Sequence, residues 1–363
     1  MTETREGTTK MIRSVDEIFD IVLEIGASDV VFTPGMPPAA WVAGRMRLIG
    51  SQMVEPKDIE DIFYPLLTED QADRLRKNGD IDLAIGKRGK GRFRVNIHRQ
   101  RGTIAVAMRY VPHIVPDFER LRLPKRIIDF AKLPHGLVLV TGGAAAGKST
   151  TLAAVIQYMN QHYNYHIVTL EDPIEYIFHH EKSIIEQREI GVDVPSFASA
   201  LRHVVRQRPD VVLIGEMRDL ETISAVLTAA ETGHLILATL HTSSAVQTID
   251  RIIDVFPAEQ QGQVRIQLSN TLQGVVCQKL FHDRITNGLV PAVEIMIATP
   301  AIRRAIRDKE IHLIGGMIET GKNMGMQRMD ESILQLARAG HICPEDALVN
   351  AQDPEKMMRA LAA

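Results

Sequence analysis

Residues 141–151 read TGGAAAGKSTT and fit the spacing G-x-x-x-x-G-K-[ST], with Gly142, Gly147, Lys148 and Ser149 in the fixed places. A loop of this kind turns several backbone N–H groups inward around a phosphate, and the helix N-terminus behind it favours the same negative charge. The apolar run GLVLV leads in and KSTTLAAVIQYM leads out, the strand-to-helix context that such a loop needs. The expected ligands are therefore ATP and Mg²⁺. Gly142, Gly143, Ala144, Ala145, Ala146 and Gly147 would supply backbone donors, with Thr150 beside them. Lys148 would reach the β and γ oxygens and Ser149 would give its hydroxyl to the metal. The three alanines tolerate fewer backbone conformations than glycine, which predicts a less well formed cradle.

Hydrolysis also needs an acid and balancing cations. PDVVLIGEMRD, residues 209–219, is an apolar strand ending in Glu216, placed where ligands bind in open α/β sheets and able to orient or deprotonate a water. TLEDPIEY sets Glu171, Asp172 and Glu175 past another strand end. Clustered carboxylates repel unless a cation sits among them, so this is a Mg²⁺ or water site or else a solvated turn. His234 and His241 bracket the strand in TGHLILATLH; seven residues put them on opposite faces unless the chain bends, and a structural role stays open. Arg202 and Arg206 in ALRHVVRQRPD fall at i and i+4 on one helical face, as γ-phosphate partners or a surface salt-bridge row. Arg94 and Arg109 can reach a nucleotide only if the first domain folds over it.

These residues need a scaffold, and 363 residues is long enough for two domains with real cores. Lys and Arg number 42 against 45 Asp and Glu, so nucleic acid is not the default partner. No apolar leader and no run near about 18 apolar residues is present, which reads as a cytoplasmic chain. Cys277 and Cys343 match no metal spacing. SVDEIFDIVLEIGASDVVF predicts a capped helix with Ile18, Ile21, Val22 and Ile25 on one side, then a Gly and a strand. DIDLAIGKRGKGRFRVNIHRQRG predicts a hairpin with Phe93, Val95 and Ile97 on one face and Arg92, Arg94, Asn96 and His98 on the other. Its cations, Lys87, Arg88, Lys90, Arg92 and Arg94, are the best support for a nucleic-acid motor, but aromatics for base stacking are missing. Three prolines between 112 and 124 mark a linker. Beyond it, apolar strands alternate with helices, one of them near 197–207, as in a parallel sheet covered on both faces. From about residue 299 the pattern is helical.

Together these stretches resemble the secretion ATPase superfamily, most closely its type IV pilus retraction branch, the PilT proteins. The likeness runs from about residue 14 to about 345, through ASDVVF, RFRVN, GKSTTLAA, EDPIEY, PDVVLIGEMRDLET, LTAAETGHLILATLHTSSA, TIDRIIDVFPAEQ and TPAIRRAIR followed by GMQRMDESI. It implies an α/β protein: a PAS-like N-terminal α+β domain at 1–112, a linker at 113–125, and a RecA-like P-loop ATPase domain at 126–363 with C-terminal helices. It further implies a homohexameric ring with nucleotide bound between the two domains. The ring would act on an inner-membrane pilus platform protein from the cytoplasmic face at the pilus base, touching the membrane only through partners and binding no nucleic acid. By this resemblance Glu216 is the catalytic glutamate, Glu175 the second acid of an Asp box, and His234 with His241 a His box. Arg202 and Arg206, and Arg94 with Arg109, match the superfamily's nucleotide-facing arginines. Only two cysteines and a short N-terminus favour retraction over the extension and type II secretion branches, which usually carry a four-cysteine zinc insertion. In AIRRAIR the stripe Ile302, Ala305 and Ile306 should be buried, with Arg303, Arg304 and Arg307 facing away. The family usually reads G-P-T-G-S-G-K, so Gly143, Ala144, Ala145 and Ala146 depart from it. That departure keeps a weakly active accessory subunit in view beside a retraction motor, as does an extension or secretion ATPase lacking the zinc insertion.

Overall fold

The computed structural model describes residues 12–42, 45–87, 89–111, 114–286 and 288–362. They form two compact units divided between Ile114 and Val115. In the first, the Ser14 hydroxyl accepts from the Glu17 N–H at 3.3 Å and Gly26 turns left-handed at φ 66°, which frames α1 (Val15–Ile25). Ile18, Phe19 and Val22 are buried, whereas Ile25 in the last turn is 38% exposed. Next come β1 (Ala27–Phe32), β2 (Ala39–Val42), β3 (Arg45–Leu48), α2 (Pro56–Phe63), α3 (Glu69–Asn78), β4 (Asp80–Lys87), β5 (Gly91–Gln100) and β6 (Thr103–Val111). The strands make one antiparallel sheet in the order β3-β2-β1-β6-β5-β4.

The helices pack on one face, where Phe93, Val95 and Ile97 of β5 join Ile18, Phe19, Ile59 and Leu75. Each such side chain contributes about 1.5–3 kcal/mol when fully buried. Arg94 points to the other face, directly opposite Arg109 in the β5/β6 register. Arg109 Nε bonds Asp29 Oδ1 at 2.8 Å. At the hairpin end Lys87 pairs with Asp16 and Lys90 with Asp20, both on α1; Arg88 lies outside the described residues. Two cations of the basic hairpin are thus neutralised by the helix beside them.

In the second unit the expected linker is partly built into the core: Phe118 and Leu123 are buried with Ile127 and Phe130 around α4 (Arg126–Asp129). Then follow β7 (Gly136–Thr141), α5 (Lys148–His162), β8 (His166–Glu171), β9 (Ile184–Glu189), α6 (Phe197–Val204), β10 (Val211–Ile214), α7 (Leu220–Glu231) and β11 (Leu235–Leu240). After these come α8 (Ala245–Asp254), α9 (Ala258–Thr271), β12 (Leu272–His282) and β13 (Leu289–Ile297). The sheet order is β13-β12-β7-β11-β10-β8-β9, parallel throughout except for β13, which returns antiparallel to β12. Its central strands are buried along their whole length, as a sheet covered on both faces requires.

The C-terminal helices are α10 (Pro300–Arg307), α11 (Ile314–Thr320), α12 (Met329–Arg338), α13 (Pro344–Asn350) and α14 (Pro354–Ala362). Ile302, Ala305 and Ile306 are buried as the spacing predicts. Arg303 does not face away. Its guanidinium donates to the carbonyls of Ser269 and Asn270 and to Gln273 Oε1 at 2.8–2.9 Å, satisfying the otherwise unpaired carbonyls at the end of α9. Both cysteines are free thiols; Cys277 is buried and Cys343 caps α13. Among the described residues no helix is long and apolar enough to cross a membrane.

Candidate nucleotide-binding site

The loop between β7 and α5 is framed by glycines that the packing demands. A Cβ on Gly142 would collide with the Gln278 carbonyl and come within 2.8 Å of Ala146 Cβ. Gly147 caps α5 in the left-handed region at φ 82°, where a Cβ would lie 2.7 Å from Gln278 Nε2. Between them Ala145 also adopts a left-handed φ of 56°, a conformation that costs an L-residue about 1–2 kcal/mol. The expected conflict at this position is therefore present in the backbone. Lys148 donates to the carbonyls of Gly142 and Gly143 at 3.0 and 2.8 Å. Burial lowers its pKa, while the charges of Glu216 and Glu175 act the other way.

Across the loop lies a cavity of about 500 Å³, within the usual range for a small-molecule site. Loop residues 144–150 line it, together with Glu171, Asp172, Glu175, Tyr176, Glu216, Arg218 and His241. Glu216 follows β10 and is clamped on both oxygens: Arg218 Nη2 lies 2.7 Å from Oε2 and His241 Nε2 3.1 Å from Oε1. Burial raises its pKa, but the Arg218 hydrogen bond and the charges of His241, Arg218 and Lys148 outweigh that and hold it below the usual range. Glu171 is a brace. Its Oε1 accepts from Thr169 Oγ1 at 2.6 Å and Gln187 Nε2 at 3.2 Å, and its Oε2 from the Glu175 N–H at 3.3 Å. Burial raises its pKa despite these bonds. Asp172 and Glu175 are exposed in the same cavity. Thr150 Oγ1 and the Tyr176 hydroxyl are 3.0 Å apart, tying the acidic turn to α5.

Residues 67–313 match the model of the Type II/IV secretion system protein family. The chain belongs to that family. It is 41% identical over 341 residues to the type IV pilus retraction ATPase PilT of Pseudomonas aeruginosa, covering 94% of this chain and 99% of that one. A twitching motility protein of Neisseria gonorrhoeae is 42% identical, with 88% and 86% covered. Among solved structures, the pilus retraction motor PilT with bound ADP superposes with a TM-score of 0.89 at 42% identity, over 95% of this chain and 99% of that one.

Not every residue singled out from the sequence reaches the cavity of this family member. His234 precedes β11, whereas the phosphate loop follows the parallel β7. The two sit at opposite ends of strands about 20 Å long. His234 Nδ1 instead lies 3.2 Å from both the Ala229 carbonyl and Thr232 Oγ1, at the end of α7. Arg202 and Arg206 are exposed and precede β10, away from its carboxyl end. They do not share a helical face, because α6 ends at Val204 and Arg206 lies in the turn beyond it. Arg94 and Arg109 belong to the first unit.

Three side chains of the site were not singled out from sequence. Arg218 sits two residues past Glu216 in GEMRD, and that local signal was available. Tyr176 closes EDPIEY and offered a similar one. Gln278 had none: it comes from β12, is buried, and accepts from Thr151 Oγ1 at 2.7 Å while its backbone abuts Gly142.

Proposed function

We propose that this chain is an ATPase motor that hydrolyses Mg-ATP to ADP and phosphate and drives type IV pilus retraction. Its carrying observation is a single cavity in which a glycine-framed phosphate loop and Lys148 face Glu216, itself held by Arg218 and His241. The similarity to retraction ATPases over nearly the full chain adds the direction of movement. On this reading the loop N–H groups take the phosphates, and Lys148 exchanges the loop carbonyls for β and γ oxygens. Glu216 is ionised at neutral pH, and its partners hold its pKa below the usual range; that makes it a weak base and suits it to orient the attacking water by hydrogen bonding more than to deprotonate it in the ground state. Magnesium, when bound, would neutralise charge developing on the phosphates. It takes few protein ligands beyond substrate oxygens and water. Ser149, with the exposed Asp172 and Glu175, fits that need better than Glu171, whose oxygens are engaged inside the protein.

The assembly belongs to the same proposal: a homohexamer at the cytoplasmic face of the inner membrane, working on a pilus platform protein, with the first unit as a PAS-like domain on a RecA-like ATPase domain. The exposed Arg202 and Arg206, and Arg94 with Arg109 of the first unit, would report the γ-phosphate through charge-assisted bonds. One observation favours a second reading, an accessory subunit with weak turnover: the left-handed Ala145 in the phosphate loop. Steady-state ATPase measurement on the purified protein separates the two. Glu216→Gln should keep ADP affinity while turnover falls at least about 10²-fold; parent-like turnover removes Glu216 from the mechanism. Deleting the gene should leave abundant pili and abolish retraction-dependent motility, and a strain without pili would reassign the motor to extension.

A further inference from the structure

We propose that Glu294 is a positioning residue that ties the nucleotide cavity to the C-terminal helices by holding the first N–H of two separate helices on one carboxylate. The proposal rests on the ATPase reading of the cavity. Glu294 lies in β13 and is 2% exposed. Its Oε1 accepts from the Ala245 N–H at 2.8 Å, the first residue of α8, and its Oε2 from the Met329 N–H at 3.4 Å, the first residue of α12. Burial raises the Glu294 pKa, with Asp330 adding to the rise, while the two helix N–H bonds and the Arg328 charge act the other way, as helix N-termini do for a negative charge. A buried carboxylate is nonetheless a costly way to fill space, since an apolar side chain of the same size often serves stability as well or better. What an apolar residue lacks is two acceptor oxygens diverging toward two helices.

Both helices lead somewhere specific. On one side, α8 starts four residues after His241, which bonds Glu216 at 3.1 Å. Thr242 Oγ1 and Thr248 Oγ1 are 2.7 Å apart, and Ser244 caps α8, so the His241 segment and the first turn of α8 are joined. On the other side, β13 grips the start of α12 twice more: Ile295 and Gln327 exchange backbone bonds at 2.9 and 3.0 Å, and the Val293 N–H donates to Ser332 Oγ at 3.0 Å. The register places Cys277 opposite Glu294, and Thr141, the last residue of β7 before the phosphate loop, donates to the Cys277 sulfur at 3.1 Å. A change in what Glu216 and His241 bind, as when a γ-phosphate arrives, thereby displaces the start of α8, and Glu294 passes the displacement to α12.

Hydrogen exchange on the full chain tests this, with ADP and the non-hydrolysable β,γ-imido-ATP as probes. In the parent, exchanging one nucleotide for the other should change protection in both 242–249 and 329–338. Glu294→Gln keeps the volume but replaces one acceptor oxygen with a donor, so only one helix N–H can be satisfied. That variant should keep nucleotide affinity within about twofold, lower turnover about tenfold, and lose the nucleotide-dependent change at 329–338 while keeping it at 242–249. A merely structural role would lower protection at 329–338 equally with both nucleotides, and that result overturns the proposal. So does a parent with no nucleotide-dependent change there. Met329→Pro removes the α12 donor at a first-turn position that tolerates proline, behind an Arg328 already extended at φ −80° and ψ 151°; it also removes the buried Met329 side chain, for which Met329→Ala, keeping the N–H, is the control. The proline variant should reproduce the loss, and it carries the test if Glu294→Gln does not fold. Failure of the parent to bind either nucleotide would instead refute the ATPase reading, and this inference with it.

Discussion

Replacing Ala145 by glycine should tighten nucleotide binding. Ala145 is exposed at the loop tip with φ 56°, and a left-handed L-residue costs about 1–2 kcal/mol. Glycine removes that cost but loosens the alternatives, a loss of about 0.4–1 kcal/mol. The middle of these ranges leaves about 0.8 kcal/mol in favour of the cradle, or about fourfold in affinity at 1.36 kcal/mol per decade. The gain reaches affinity because the tip is not buried, so the loop can leave the cradle geometry and must return before phosphate binds. Gly143→Pro fits sterically, since a Cβ there meets no atom within 4 Å and its φ lies outside the left-handed region; it stiffens the loop but removes one N–H, so a further small gain would take the Gly143 N–H out of the cradle and a loss would keep it in. Isothermal titration with ADP and β,γ-imido-ATP measures both variants and the double change. Affinity unchanged or weakened in Ala145→Gly and in the double variant would show that the alanine loop already holds its bound shape without cost, and the strain argument would fail.

Alanine at Arg94, Arg109, Arg202 or Arg206 should each lose roughly 1.5–3 kcal/mol if the side chain meets the γ-phosphate, so turnover falls more than ADP affinity in paired kinetic and titration measurements. Equal losses would mark a structural pair, for which Arg109 with Asp29 is the leading case. Asp283→Asn tests a buried clasp in which Asp283 receives Thr286 Oγ1, the Ile285 N–H, His341 and Arg122. The Thr286 bond most of all, with His341 and the Ile285 N–H, holds its pKa well below the usual range against the opposing effect of burial. A depressed pKa gives stability that is present above the unfolded value of about 3.9 and is lost as pH falls toward the folded value. Thermal denaturation should therefore show Asp283→Asn destabilised at pH 7 and the difference from the parent shrinking below about pH 4; a gap independent of pH would refute the assignment.

What the sequence made legible was local. The phosphate loop, the Glu216 strand, the capped α1 and the β4/β5 hairpin each announce themselves within about twenty residues, because caps, alternation and loop spacing are short-range signals. The clamp on Glu216 was half visible: His241 was singled out, but as one of a pair whose other member sits at the far end of β11. Periodicity carried α6 too far, since it does not register where a helix gives way to a turn, and that broke the Arg202 and Arg206 face. It also sent Arg303 to the surface, because the end of α9 that it satisfies is more than thirty residues away in sequence. Gln278 and Glu294 were missed for the same reason: β12 and β13 acquire their meaning only when the sheet brings them against β7, α8 and α12.

The antiparallel return of β13 has a consequence for how copies of this chain can meet. A strand at the rim of a sheet invites a stranger to extend it, the route to fibrous aggregation. Along the middle of β13 three successive outward positions offer no free donor: Pro291 has no N–H, Val293 donates to Ser332 and Ile295 to Gln327. The opposite rim, β9, is six residues long and carries Glu186, Arg188 and Glu189, charges that discourage a new strand. Neither rim of this sheet is a template for a shared one. If copies gather around a common axis as proposed, this sheet would join them through side-chain surfaces, which can slip and re-form as a machine turns over, and not through a continuous ladder, which would lock them.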